Sequence, residues 1–116
     1  MATPATTNTP SALTTNLPSE KTLLHAARIA MEHDKPIMLD YFLPTCTGQA
    51  FLGIDSATQE KSLVKSADEY TSPIQKILGT KTEFIVITEN SIYIVSGTIK
   101  KKPVSMGGTP VPALTN

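Results

Sequence analysis

Thr82–Thr98, TEFIVITENSIYIVSGT, decides the fold. Thr82–Thr88 and Ser91–Thr98 are rich in β-branched and aromatic residues, which suit a pleated, packed surface. Only Glu89-Asn90 separates them. Asn tolerates positive φ, so the pair reads as an antiparallel hairpin with a tight turn. Phe84–Ile87 and Ile92–Val95 are apolar at consecutive positions. Strands of that kind are covered on both faces. The hairpin therefore needs a layer above it and a layer below.

One layer lies upstream. Ser19 follows Pro18 and suits a helix N-cap, and Glu20 stands in the first turn, where the helix dipole favours a carboxylate. The pattern is helical from there to His33. Leu23, Ala27, Ala30 and Met31 form one stripe with Leu24 beside it, while Lys21, Arg28 and Glu32 lie elsewhere. Pro36 forces Lys35 out of helical geometry and closes the element. This helix is expected on one face of the hairpin. The other face is expected to meet a partner or a short helical segment.

Between helix and hairpin the period changes. Ile37–Leu43 reads as a strand, Pro44–Gln49 as a loop, and Ala50–Asp55 and Ser62–Lys65 as a second hairpin joined by polar Ser56–Lys61. Ser66-Ala67-Asp68-Glu69 and Ser72-Pro73-Ile74-Gln75 both fit the capping box, which predicts two short helical turns, the second ending at Gly79. Pro73 would break one continuous helix. The expected fold class is α+β, with the N-terminal helix packed on a small antiparallel sheet of about five strands.

All ten basic and ten acidic residues, and all six aromatics, lie between Ser19 and Lys102. Residues 1–18 and 103–116 carry no charge and are dominated by Pro, Thr and small side chains. Such segments bury too little to offset the entropy of ordering them. They read as extended N- and C-terminal arms around a single domain over residues 19–102. A domain of this size buries only about 60–65% of the surface of its unfolded chain, so its core is thin.

Balanced charge gives no field that would gather nucleic acid. A lone cysteine, Cys46, excludes an internal disulfide and a multi-thiolate metal cage. The N-terminus lacks the basic start and apolar run of a signal peptide. The longest apolar run is four residues, against the roughly 20 that span a bilayer. The expectation is a soluble intracellular protein with no membrane insertion.

No reacting constellation emerges. His25 and His33 stand eight apart on the helix, about 12 Å along its axis, too far to share a metal; ordinary helix residues are the commoner case. Cys46 in TCTGQ has no base or second cysteine beside it and reads as an inert loop thiol. Gly79-Thr80-Lys81-Thr82 lacks the glycines of a phosphate-binding loop and is expected to follow a helix, where that motif follows a strand. Asp40 must be hydrogen-bonded if it faces inward and is solvated if it sits at an edge. Asp55 has only its residue type to recommend it, and Asp68 and Glu69 are explained by helix N-termini. Lys100-Lys101-Lys102, without interleaved aromatics, is commonly just a solvated strand end. No catalytic, cofactor-binding or metal-ligating residue is expected, and the chain reads as a non-enzyme. Phe84, Val86, Ile92, Tyr93 and Ile94 on the hairpin, with Lys100, Lys101 and Lys102, are the expected partner-binding residues.

Four blocks carry a resemblance: His33-Asp34-Lys35-Pro36-Ile37-Met38-Leu39-Asp40-Tyr41, Leu63-Val64-Lys65-Ser66, Glu69-Tyr70-Thr71-Ser72-Pro73-Ile74, and Thr88-Glu89-Asn90-Ser91-Ile92-Tyr93. Together they resemble short proteins of nucleocytoplasmic large DNA viruses, such as iridoviruses, phycodnaviruses and mimivirus relatives. The resemblance covers roughly residues 20–99, omits both arms and transfers no functional residue. It implies a minor capsid or cement component that bridges the major capsid protein and other minor capsid proteins. Such a product resides in the virion, and in the host cytoplasm before assembly. The residues themselves leave two further readings open. One is a soluble adaptor or regulatory module that binds through the 84–95 hairpin. The other is a small nucleic-acid-binding protein using Lys100–Lys102, although nucleic acid is not the expected partner.

Overall fold

Ser19 begins the first helix as its chemistry suggests. Its Oγ accepts the Thr22 N–H at 3.3 Å, and α1 runs over Glu20–His33. Asp34 then turns left-handed (φ 54°), and the Lys35 N–H reaches back to the Ala30 carbonyl at 3.2 Å. That wrap satisfies a carbonyl orphaned by the helix end before Pro36 is reached. A computed structural model describes residues 17–105. The remainder of the two expected arms lies outside the described residues.

Eight strands and one more helix follow among the described residues. These are β1 (Ile37–Met38), α2 (Phe42–Thr47), β2 (Phe51–Asp55), β3 (Lys61–Ser66), β4 (Glu69–Tyr70), β5 (Ile74–Gly79), β6 (Glu83–Thr88), β7 (Ile92–Ser96) and β8 (Lys101–Val104). The class is α+β, but the strands form two four-stranded sheets, ordered β1-β7-β6-β5 and β4-β3-β2-β8. Neither is wholly antiparallel. β1 runs parallel to β7, and β8 runs parallel to β2. β8 also carries regular structure through Pro103 and Val104, into the stretch read as the C-terminal arm.

The consecutive apolar runs of the β6–β7 hairpin divide by alternation. Ile85, Ile87, Ile92 and Ile94 face the helices and pack with Ala26, Ile29 and Phe42. Phe84, Val86, Tyr93 and Val95 face the second sheet and pack with Leu52, Leu63, Ala50 and Tyr41. The face expected to meet a partner or a helical segment is thus covered by the chain's own β2–β3 sheet.

Other expectations are corrected. The strand read over Ile37–Leu43 stops at Met38, and the loop read over Pro44–Gln49 is mostly α2. Pro44 is tolerated because it falls in the first turn, where the N–H groups have no helical partner. The Thr45 hydroxyl is shared between the Tyr41 and Phe42 carbonyls at 2.8 Å each, and Gly48 (φ 85°) closes the helix in the left-handed region that favours glycine.

The two helical turns are strands β4 and β5 instead. Ser66 Oγ accepts the Asp68 N–H at 3.2 Å in the β3–β4 turn, the same local bond a capping serine makes. β5 pairs with β6 from Ile74↔Thr88 to Gly79↔Phe84, with a register shift between Ile74 and Lys76. Gly79-Thr80-Lys81-Thr82 therefore follows a strand, not a helix, and leads into another strand. The phosphate-loop reading stays rejected because no helix N-terminus follows.

The buried face of α1 is also displaced. Thr22, Ala26 and Ile29 are its buried residues, with Leu23 and Ala30 partly buried beside them. Met31 is 84% exposed and Leu24 65%. Thr22 is drawn inward by a hydrogen-bonding partner that periodicity cannot register.

Candidate functional site

That partner is Glu83. Its Oε1 accepts from Thr22 Oγ1 at 2.6 Å and lies 3.0 Å from Ser19 Oγ, while Oε2 accepts the Ser19 N–H at 3.2 Å. Thr80 Oγ1 stands 3.0 Å from Thr22 Oγ1 and accepts the Glu83 N–H at 3.1 Å. Burial acts to raise the Glu83 pKa, but the hydrogen bonds from Thr22 and Ser19 outweigh it and hold the carboxyl below its ordinary value. The Glu83 carboxylate clamps α1 to β6, and Thr80 ties the same glutamate into the β5–β6 connection. It is a structural device.

A second polar cluster is set by alternation along β3. Lys61, Leu63 and Lys65 point toward the first sheet, and Ser62, Val64 and Ser66 point away. Lys65 Nζ sits 3.2 Å from Asp40 Oδ2, 3.3 Å from Glu69 Oε2 and 4.5 Å from the centre of the Tyr41 ring. Partial burial acts to lower the Lys65 pKa, but its bonds to Asp40 and Glu69 prevail and raise it. Tyr41 meets Tyr93 edge-on, with centroids 5.4 Å apart. Burial, and then the nearby Glu69, push the Tyr41 hydroxyl well above its ordinary range. Asp40 is thus exposed in the β1–α2 connection, paired with a lysine.

At the other end of β3 the sheets part. Leu63 pairs with Leu52, and Leu52 pairs in turn with Lys101, so Leu63, Leu52 and Lys101 form one row on the inner face. Lys61 lies one step further out, opposite Ile54. From the first sheet come Ile77, Phe84, Val86 and Val95, with Ile99 from the β7–β8 connection. Between them lies a slot of about 120 Å³ with apolar walls and two lysines at its mouth. Two shallow depressions adjoin it. One shares Lys61 and Ile77 and adds Glu60 and Lys76; the other shares Lys101 and adds Ile54, Lys102 and Pro103.

Of the residues expected to bind a partner, Phe84, Val86 and Lys101 line this slot. Lys102, one residue on, points to the opposite face of its sheet, with its Nζ 4.8 Å from the centre of the Phe51 ring. Ile92 and Ile94 are fully buried beneath the helices, so they hold the fold and offer no surface. Tyr93 is half-buried against Tyr41. Lys100 is exposed and contributes its carbonyl to the Leu52 N–H at 2.8 Å. Sequence reasoning missed Lys61, Leu52, Leu63, Ile77, Val95 and Ile99. The alternating Lys61-Ser62-Leu63-Val64-Lys65 was the available signal: an apolar centre between charged ends on one strand face.

His25 and His33 line a groove between α1 and β5 with Glu32 and Lys76. Cys46 is exposed on α2, not in a loop. Among the described residues no three His, Cys, Asp or Glu side chains converge as a metal site. Nor is any helix among them long and apolar enough to cross a membrane.

No known family model, curated protein or solved structure matches this chain.

Proposed function

We propose that this chain is a non-catalytic structural protein that works by binding other proteins, with the inter-sheet slot as its anchor point. The observation that carries this reading is an apolar opening of about 120 Å³ among side chains of the inter-sheet core. Protein interiors are close-packed, and pockets for small molecules run to about 300–1,000 Å³. A slot of this size suits one aliphatic or aromatic side chain. Interfaces concentrate their energy in such single buried anchors.

The narrower reading follows the resemblance: a minor capsid or cement component of a large DNA virus, held by major and minor capsid neighbours in the virion. The thin core fits a protein that gains support from neighbours. A photo-crosslinking side chain placed at Lys101 tests both levels. Adducts with capsid proteins in assembled particles support both. Adducts with a non-capsid protein leave the binding module and remove the virion. Adducts absent at Lys101 but present at a site remote from the slot overturn the slot as the anchor.

A further inference from the structure

The two ends of β3 are chemically alike in sequence and unlike in structure. Lys61 and Lys65 flank Leu63 on the same strand face. Lys65 is met by two carboxylates and the face of a tyrosine. Lys61 is exposed, and so is Lys101, which lies across β2 from it and also lines the slot. Among the described residues both ion pairs belong to Lys65. The slot itself is lined by Lys61 and Lys101 and by no carboxylate, and Glu60 stands in the adjoining depression. A chain with balanced total charge therefore sets two lysines, and no carboxylate, in the lining of its apolar opening.

We propose that the slot receives one Leu- or Phe-sized side chain from an acidic segment of a partner protein, whose flanking carboxylates meet Lys61 and Lys101. The inference rests on the slot being a protein-binding site and adds the partner's chemistry. The partner would supply at Lys61 what Asp40, Glu69 and Tyr41 supply at Lys65: negative charge beside an apolar body. Nucleic acid fits less well. Single strands need exposed aromatic faces for stacking, but Phe84 is built into the slot wall and Phe51 is buried with Lys102 over its ring.

The test uses the full chain, labelled with nitrogen-15 and titrated with three end-blocked nine-residue peptides. The first carries Leu between Asp/Glu flanks, the second Ala between the same flanks, and the third Leu between Ser flanks. The first should shift the amides of Leu52, Leu63, Ile77, Phe84 and Ile99. Removing the Leu side chain should weaken binding by about tenfold or more, the scale of one buried aliphatic group. Removing the flanking charge should weaken it by about fivefold, the scale of two partly exposed ion pairs. Lys61→Glu/Lys101→Glu should abolish the preference for acidic flanks, while Lys100→Glu should leave it. Equal affinity for the first and third peptides would overturn the acidic partner while leaving the slot as a docking site. Failure of all three to move the slot amides would overturn both. Displacement of the first peptide by a short oligothymidine at equal concentration would replace the acidic partner with nucleic acid.

Discussion

Thr22 Oγ1 donates to Glu83 Oε1 at 2.6 Å, in a buried hydrogen bond that spans 61 residues of sequence. A carboxylate from β6 thereby closes the N-terminus of α1, where the helix dipole favours negative charge. The bond explains why a polar threonine, and not Met31, lies on the buried side of the helix.

Glu83→Gln should destabilise the fold by about 2 kcal/mol at neutral pH, the scale of a charge-assisted hydrogen bond left incomplete. The effect should depend on pH. The folded-state pKa of Glu83 is depressed below 4.5, so its contribution is fully present above that value. It is lost as pH falls through the folded-state pKa. Denaturant melts of wild type and Glu83→Gln at stepped pH should converge in acid and diverge toward neutrality. A gap independent of pH would contradict the charged clamp.

Lys65→Met keeps the apolar stem against Tyr41 and removes the charge shared with Asp40 and Glu69. Half-exposed pairs contribute little, so the expected loss is about 1 kcal/mol. Adding salt should narrow the difference. Because the Lys65 pKa is raised, its contribution is complete below 10.5 and disappears only as pH climbs through the folded-state value. Thermal melts in low and high salt provide the measurement.

Gly97 follows β7 and donates its N–H to the Thr82 carbonyl at 2.9 Å. A Cβ at this position would overlap the Thr82 carbonyl group, which is backbone and cannot rotate aside. Gly97→Ala should therefore cost about 3 kcal/mol, the upper range for overpacking. Gly48→Ala meets no atom within 4 Å and is strained only by its positive φ, so a smaller loss of about 1 kcal/mol is expected there. Comparing the two by chemical denaturation separates steric overlap from backbone strain.

Ile77→Phe extends an apolar side chain into the slot. Stability should rise by about 1 kcal/mol as the extra ring surface leaves water, and the acidic leucine peptide should no longer bind. Increased stability with unchanged peptide affinity would place the docking surface elsewhere.

The legible parts of the fold were those governed by neighbours in sequence. Ser19 with Thr22, the proline after α1, and the β-branched runs of β6 and β7 all act within a few residues, and these elements stand where expected. The capping boxes at Ser66 and Ser72 both misled, and at Ser66 the serine that can cap a helix caps a turn instead. Which one forms depends on whether a strand edge is available, and β6 provides one for Ile74–Gly79. The slot was half legible. Phe84, Val86 and Lys101 could be picked out by residue type, but Lys61, Leu52 and Leu63 reach it only through the pairing of β2 with β3 and β8.

What the amino-acid order determined unaided was a helix, a set of strands and a hairpin that must be covered on both sides. Propensity, capping and alternation are short-range effects, and they suffice for that. Only the tertiary structure decided what does the covering, why one β3 lysine is neutralised while its neighbour four residues away is exposed, and where the two sheets separate. Those outcomes depend on contacts between residues far apart in the chain, whose burial and charge balance are settled only when the sheets pack.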